Sequence, residues 1–352
     1  MKKLSEIGRI ALVGCLGLAL AACGDKAASK KSASDDETSG KSKGSAAVAA
    51  HPPKDVDAKV TAALDKLAGC KREEDRMADC ADDEAWKTFR ESYVENDDDA
   101  GSKRKKLALA CLARVSHESP NVRAAAGDCV RDGSDSLADE ASALELVLAQ
   151  LEAETAADAS NELAYAAAAL DPMKRNAADR TLAVVEKMRG KKAAGWGELL
   201  GALASTKSPP DKAVEIAKEV LASGDGPVED AIGLLENAKN HQADACKALL
   251  AKVQTGKYLW SRAMDGMGRL GCTSDMDAVV DFVVKKMGEE EGYQTGFIGA
   301  DFVYLERVLD AVAMTKDQVA KLKKATEDEK AKAKKDQTKQ DCDKVLAALA
   351  KE

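Results

Sequence analysis

The sequence predicts an all-α protein, and three features support this prediction. Hydrophobic residues make up 45% of the chain while aromatic residues make up only 3%, so alanine supplies much of the apolar total. Alanine favours the α-helix more than any other residue. Beyond Pro53, apolar residues recur every three or four positions, as in Val56, Val60, Leu64 and Leu67, which is the period of one helix face. The alternation of β-branched and aromatic residues that is typical of strands is hard to find.

The N-terminal segment 1–22 is predicted to be an export signal. It begins with a positive head and continues with the apolar run 10–20, an order that is typical of bacterial secretory signals. The run is too short to cross a bilayer as a permanent helix, which needs about 20 residues. The basic residues of the head are Lys2, Lys3 and Arg9.

The end of this signal resembles the cleavage motif of bacterial lipoproteins. Leu20-Ala21-Ala22-Cys23 consists of a branched apolar residue, two small residues and a cysteine. The resemblance implies that the signal is removed before Cys23, that its thiol receives a diacylglyceryl group, and that the protein is anchored in a membrane of the bacterial envelope. The aspartate that retains some family members at the inner membrane is one position late, at Asp25, which favours the outer membrane. An ordinary secretory signal with a chance cysteine is the alternative.

The segment 23–53 is predicted to be a flexible tether. Serine, lysine, glycine, alanine and aspartate fill it, and Val48 is its only large apolar residue. Such a stretch cannot bury enough apolar surface to offset the entropy of ordering. A flexible coil of this length has a root-mean-square reach of about 30 Å.

The segment 54–315 is predicted to be a helical-repeat domain. Its periodic runs are separated by short breakers that suit helix starts: Ser119-Pro120, Asp171-Pro172, Ser208-Pro209-Pro210 and Gly226-Pro227. The stretch after Pro120, with Arg123 three positions on, resembles the second helix of a HEAT repeat. Pro172 with Arg175 begins a second such copy. The resemblance implies a HEAT-like α-solenoid of stacked helical hairpins, and an irregular helical bundle is the alternative.

The segment 316–352 is predicted to form a long charged C-terminal helix. Thr315 and Gln318 have the spacing of a capping box. No large apolar residue occurs from 323 to 344, and apolar residues return only at Val345 and beyond. We therefore expect a largely solvated helix whose last turns dock on the rest of the protein. A disordered tail is the alternative.

The cysteines predict disulfides, because an exported chain meets an oxidising compartment. Seven cysteines remain after Cys15 leaves with the signal and Cys23 is acylated. Two residues of an antiparallel helical hairpin face each other when they lie equally far from the turn. This rule predicts two bridges: Cys111–Cys129, each nine residues from Pro120, and Cys70–Cys80, each five residues from Asp75. Buried reduced cysteines are the alternative for the whole set.

A third pair, Cys246–Cys272, is predicted less strongly. With a turn near Thr255, the two residues lie 9 and 17 positions from it. At 1.5 Å per residue, this difference is a mismatch of roughly 12 Å along the helices. A disulfide needs Cα atoms within about 7 Å of each other. Cys342 is an alternative partner for either residue of this pair.

Composition and motifs exclude several classes of function. The chain has 61 acidic and 53 basic residues, a net charge of −8, which argues against nucleic-acid binding. The histidines are His51, in the tether, and His117 and His241. Neither His117 nor His241 has a second histidine or a cysteine at a spacing that shares a helix face, so no metal site is expected. No Cys-x-x-Cys motif and no phosphate-binding glycine loop occurs, so no cofactor is expected either.

The predicted function is that of a membrane-anchored, non-catalytic scaffold that binds an envelope protein or peptide. A solenoid offers an extended surface for such a partner. Aromatic residues often dominate interfaces, and the candidates for contact are Trp86, Trp196, Trp260, Tyr165 and Tyr258, although scarce aromatics also serve as core residues. The alternatives are a lyase-like enzyme on a HEAT-like scaffold and a thiol- or disulfide-active envelope protein.

Overall fold

The computed structural model of the protein describes residues 53, 56–73, 76–77, 100–205, 208–257, 259–287, 314–334 and 336–350. They belong to one compact unit, Val48–Glu352. The described part of the chain is mainly helical, and its only β-structure is one two-stranded ladder, which confirms the all-α prediction. The signal, Cys23 and nearly all of the tether lie outside the described residues, and the predicted domain boundaries stay predictions.

The N-terminal elements are one helix and a very short β-ladder. Helix α1 (Ala58–Lys66) begins after Asp57, whose carboxylate accepts hydrogen bonds from the N–H groups of Lys59 and Val60, as a helix cap should. A 3₁₀ turn (Leu67–Gly69) leads to β1 (Arg72–Glu73) and β2 (Arg76–Met77), which pair antiparallel.

The other described α-helices follow in chain order. They are α2 (Ala100–Leu112), α3 (Pro120–Asp132), α4 (Ala143–Ala153), α5 (Ala157–Ala169), α6 (Ala178–Lys191), α7 (Trp196–Ala202), α8 (Asp211–Ser223), α9 (Val228–Leu235), α10 (Gln242–Gln254), α11 (Trp260–Leu270), α12 (Met276–Met287), α13 (Lys316–Lys332) and α14 (Asp336–Leu349). Short connections join consecutive helices from α2 to α12.

Local signals account for several of the helix starts. Pro120 occupies the first turn of α3, where its missing N–H is not needed, and Ser119 before it is extended. Helices α8 and α9 begin directly after Pro210 and Pro227. The predicted capping box is present at α13, because the Thr315 hydroxyl accepts from the Gln318 N–H and the Gln318 side chain accepts from the Thr315 N–H.

The predicted helix start at Pro172 is wrong, because α6 begins at Ala178. The residue before the proline, Asp171, has a left-handed φ of 52°, and residues 172–176 form turns. The Arg175 guanidinium holds this turn in place: it donates to backbone oxygens of Leu137, Glu140 and Leu170 at 2.6–2.8 Å.

The helices from α2 to α12 pack in a regular order. Consecutive helices pack as pairs: α2 with α3, α4 with α5, α6 with α7, α8 with α9, and α10 with α11. The second members of these pairs also pack in succession, α3 on α5, α5 on α7, α7 on α9, and α9 on α11. We call these five helices the second layer, and α2, α4, α6, α8, α10 and α12 the first layer. The HEAT-like copies at Pro120 and Pro172 lead into α3 and α6, which lie in different layers.

Glycine and alanine let the second-layer helices approach closely. A Cβ atom on Gly127 of α3 would lie 2.8 Å from the backbone carbon of Glu162 on α5, closer than non-bonded atoms come. On α11, a Cβ atom on Gly266 would lie 3.3 Å from a methyl carbon of Ile232 on α9. The core between the layers consists mainly of leucine, valine and alanine, including Leu148, Leu163, Leu199 and Leu235.

A buried ion pair joins α3 to the connection between α4 and α5. The Arg123 guanidinium contacts the Glu154 carboxylate through two nitrogens, at 2.5 and 2.7 Å, and that carboxylate is fully buried. Burial disfavours the charged form of Glu154, but Arg123 and the N–H groups of Ala156 and Thr155 offset it and lower its pKa.

The prediction of one long C-terminal helix is wrong. The segment forms two helices that pack on each other. Helix α13 ends at Lys332, where Ala333 becomes extended, and α14 begins at Asp336. Leu322 of α13 and Val345 of α14 are both buried, and α13 also packs on α12. Folding back lets both helices shield apolar side chains, which a single extended helix could not do.

Candidate functional site

The structure forms the disulfide that hairpin geometry predicts between α2 and α3. Cys111 and Cys129 are bonded, their Cα atoms lie 6.0 Å apart, and both residues are fully buried. The bridge therefore joins the two helices of the first pair within the core.

Cys246 and Cys272 also form a disulfide, with Cα atoms 5.6 Å apart, so the predicted mismatch of roughly 12 Å was wrong. Cys272 lies beyond the end of α11, where Gly271 is left-handed at φ 79°. The Cys272 N–H donates to the Met267 oxygen and the Gly271 N–H to the Gly268 oxygen, each at 3.0 Å. This is a Schellman motif, and it turns Cys272 back beside the last turn of the helix.

The other cysteines among the described residues are Cys70 and Cys342. Cys70 is disulfide-bonded, and its predicted partner Cys80 lies outside the described residues, so that pairing stays a prediction. Cys342 is a free, fully buried thiol and not a partner of Cys246 or Cys272. Burial, with Glu329 and Asp341 nearby, raises the pKa of Cys342 to about 11. A thiol in this state is protonated and inert at neutral pH.

The aromatic residues proposed as contacts separate into core and surface. Trp260 is buried and packs edge-on against Phe282, with ring centroids 5.3 Å apart. Tyr165 on α5 and Trp196 on α7 are half-buried at the surface. Trp86 and Tyr258 lie outside the described residues.

Each surface aromatic has an arginine over its ring. The guanidinium carbon of Arg131 lies 5.8 Å from the Tyr165 ring centre, and that of Arg189 lies 5.9 Å from the Trp196 ring centre. These are cation–π distances, so each ring has a positive charge over one of its faces.

Charged residues are distributed unequally between the two layers. Helices α5, α7 and α9 of the second layer contain no lysine or arginine at all, although these residues make up 53 of the chain's 352. The same three helices contain Asp158, Glu162, Glu198, Glu229 and Asp230. We call the surface formed by Glu162, Tyr165, Glu198 and Asp230 the carboxylate face.

The carboxylate face is continuous across the three helices. A hydrogen bond to Glu198 raises the pKa of Tyr165, with Glu162 and Asp230 contributing to the same shift. Burial raises the pKa of Asp230 to about 6, and the charges of Glu198 and Glu229 add to this effect. Burial also raises the pKa of Glu162, and the negative charge that adds most to this effect is that of Asp128 on α3. Negative charge therefore accumulates here without equal compensation.

Backbone rather than side chain surrounds the Asp230 carboxylate on its α7 side. A Cβ atom on Gly197 would lie 2.6 Å from one carboxylate oxygen of Asp230, and one on Gly201 would lie 3.2 Å from the other. Two glycines one turn apart thus let α9 place its carboxylate directly against α7.

Comparison of the chain with protein-family models, with curated proteins and with solved structures finds no match.

Arginines flank the carboxylate face on the neighbouring helices. On α3, Arg131 pairs with Asp128, Asp132 and Glu162, so that one guanidinium faces three carboxylates. On α11, Arg262 lies 2.6 Å from Glu236 at the end of α9, and the nearby Asp265 is buried. Between these arginines, Glu198, Glu229 and Asp230 have no lysine or arginine nitrogen within 4 Å among the described residues.

In the first layer, ion pairs also join successive helices. Arg180 of α6 contacts Glu145 and Glu152 of α4 at 3.0 and 2.8 Å. Arg189 of α6 contacts Glu219 of α8 at 2.8 Å. Arg180 and Arg189 are therefore already paired within the first layer, whereas Glu198, Glu229 and Asp230 lie on the other side of the stack.

The described residues show neither a metal site nor a catalytic group of the kind that sequence motifs identify. No cluster of three histidine, cysteine, aspartate or glutamate side chains there could hold a metal ion. His241 pairs with Asp211 at 2.8 Å, and His117 accepts a hydrogen bond from the Ser119 N–H. His51 lies outside this part of the chain. Among the described residues, no helix is long and apolar enough to cross a membrane.

Sequence reasoning found Tyr165 as a contact candidate but missed Glu162, Glu198 and Asp230. A signal for them was present: three separated segments that contain no basic residue. This signal becomes informative only once α5, α7 and α9 are known to pack side by side.

Proposed function

We propose that this protein is a lipid-anchored, non-catalytic helical-repeat scaffold of the bacterial envelope that binds a protein partner on its carboxylate face. The observation that supports the proposal most is the succession of second-layer helices, each packed on the next, which makes one surface from separated parts of the chain. A partner could contact several helices of this surface at once.

The succession of helix pairs favours an α-solenoid over an irregular bundle. In a solenoid each repeat contacts mainly its neighbours, and the stacked helices form extended binding surfaces. The HEAT-like features are incomplete, because the two best copies lead into helices of different layers. The proposed architecture is therefore a HEAT-like solenoid whose repeat is not kept in strict register.

The lipid anchor is proposed from the sequence. An acylated Cys23 would hold the protein on the membrane, with the outer membrane favoured by the position of Asp25. One acyl chain gives only marginal membrane binding, whereas two or three give stable anchoring. A tether with a root-mean-square reach of about 30 Å would let the helical domain search for its partner near the membrane surface.

Two measurements in cells test this function. Replacing Cys23 with serine should move the protein from the membrane to the soluble fraction, and continued membrane association would contradict the anchor. A photoreactive phenylalanine analogue in place of Tyr165 should crosslink a partner protein. The same analogue in place of Glu215, which is exposed on α8 of the first layer, is the control. Equal adducts at both positions, or none at Tyr165, would refute binding on the carboxylate face.

A further inference from the structure

We infer that the segment bound on the carboxylate face is rich in lysine and arginine. This inference rests on the proposed function, because it gives the chemistry of the partner that the scaffold would bind. A basic partner segment is the one whose charge complements that of the carboxylate face, as three observations indicate.

The first step is that basic residues are distributed unequally between the six helices α5 to α10. The first-layer helices α6, α8 and α10 contain eight basic residues: Arg180, Lys187, Arg189, Lys191, Lys212, Lys218, Lys247 and Lys252. The second-layer helices packed beside them, α5, α7 and α9, contain none. In this part of the stack the basic residues therefore lie in the first layer, and the arginines of the second layer lie on α3 and α11, on either side of these three helices.

The second step is that several cations of the first layer are already paired within the protein. Lys218 of α8 lies 3.6 Å from Asp244 of α10, and α4, α6 and α8 are linked in the same way. A charged ligand would have to displace these pairs to bind there. Around Glu198, Glu229 and Asp230 a cationic ligand would displace no lysine or arginine of the described residues, so binding of a cation is favoured on that side.

The third step is that two carboxyl groups of the face, those of Asp230 and Glu162, lose their protons less readily than exposed carboxyl groups do. Burial and mutual repulsion raise the pKa of Asp230 to about 6 and also raise that of Glu162. A cation of a partner would relieve this repulsion, and each carboxylate would then hold its charge more readily. The protein itself illustrates this kind of contact at the edge of the face, where Arg131 lies over Tyr165 and contacts Glu162.

The test uses the full mature chain in detergent and a short fluorescent lysine- and arginine-rich peptide, with fluorescence anisotropy as the measurement. The triple variant Glu162→Gln, Glu198→Gln and Asp230→Asn should weaken binding about tenfold, since three modest charge contacts add up to roughly that factor. Binding should also weaken as salt rises, because the distance over which exposed charges attract each other shrinks with ionic strength. This distance is about 8 Å at physiological ionic strength.

A matched control removes the same number of carboxylates from the first layer. The variant Glu215→Gln, Glu219→Gln and Asp244→Asn has the same net charge as the triple variant of the face, and it should change the dissociation constant less than twofold. Equal weakening by both variants would overturn the inference, because the peptide would then respond only to total charge. Equal binding of a peptide with glutamate in place of the basic residues would also overturn it.

Further readouts keep the outcome interpretable. Circular dichroism melts of both variants confirm that each is folded, and Glu198→Gln alone provides a milder version of the change. Self-association of the wild-type protein that disappears in the triple variant of the face would show that a second copy occupies the face, which also overturns the inference. Specific crosslinks from position 165 together with no peptide binding would overturn the partner chemistry while the scaffold function stands. Peptide binding without such crosslinks would contradict the scaffold function instead.

Discussion

Asp230→Asn should stabilise the protein at alkaline pH and leave its stability unchanged at acid pH. The pKa of Asp230 rises from 3.8 to about 6 in the folded protein, mainly through burial and then through Glu198 and Glu229. The folded state therefore holds this proton more tightly than the unfolded state does. Ionisation of Asp230 destabilises the fold: the penalty is absent below about pH 4, grows between pH 4 and 6, and is complete above about pH 7.

The magnitude follows from the size of the shift. Two pKa units correspond to about 2.7 kcal/mol, and because Asp230 is only half-buried, solvent screening reduces the expected penalty to about 1–2 kcal/mol. An asparagine keeps the shape of the side chain but cannot ionise. The free energy of unfolding of the variant should therefore exceed that of wild type by about 1–2 kcal/mol at pH 8, with no difference at pH 4.

Urea unfolding followed by tryptophan fluorescence, repeated from pH 4 to pH 8, measures this difference directly. Trp196 is a convenient reporter because it lies against the connection before α9, 3.2 Å from the position of a Cβ atom on Gly226. Asp225→Asn, at an exposed residue of the same connection, is the matched control and should show no such pH dependence. In a Glu198→Gln background the gain from Asp230→Asn should shrink, because one source of repulsion is already gone.

Two outcomes would refute this reasoning. A stability difference that is the same at pH 4 and pH 8 would show that the effect is not ionisation of Asp230. A variant that is less stable than wild type at pH 8 would show that the Asp230 carboxylate makes a stabilising contact in the native protein.

Three further predictions concern stability. Replacing Cys246 and Cys272 with alanine, or reducing their bond, should lower the free energy of unfolding by about 3 kcal/mol, as expected for a closed loop of this length. Urea denaturation with and without reductant measures this difference. Gly127→Ala should destabilise by about 2 kcal/mol or more, because its Cβ would lie 2.8 Å from the Glu162 backbone; an unchanged melting temperature would contradict this. Lys192→Gly should raise stability by up to about 1 kcal/mol, because residue 192 is left-handed at φ 56° and only glycine adopts that conformation without strain; a lower melting temperature would count against it.

The local features of this protein could be predicted from the sequence because they depend on residues within a few positions of each other. The capping box at Thr315 and the start of α3 at Pro120 are of this kind. So is the Cys111–Cys129 pair, since its two cysteines lie equally far from one well-marked turn. In each case the interacting groups are neighbours in sequence or are related by a single turn.

The features that failed depend on contacts the local pattern does not contain. The turn at Arg175 is held by carbonyl groups more than 30 residues away. The Cys246–Cys272 bridge was predicted and forms, but the estimated mismatch between its cysteines was wrong because the chain turns back at Gly271. The break after Lys332 depends on α14 having α13 to pack against. A prediction that extends a helix at a constant rise per residue cannot contain these reversals.

The sequence by itself determined that the chain is helical, that its helices alternate with short turns, and that three separated segments contain no basic residue. Only the tertiary structure decided that these segments become α5, α7 and α9 and pack side by side. The physical reason is that helix pairing depends on where small residues permit close approach, as Gly127 does against Glu162 and Gly197 does against Asp230. Which carboxylates share a surface, and therefore repel each other, follows from that packing and not from their spacing along the chain.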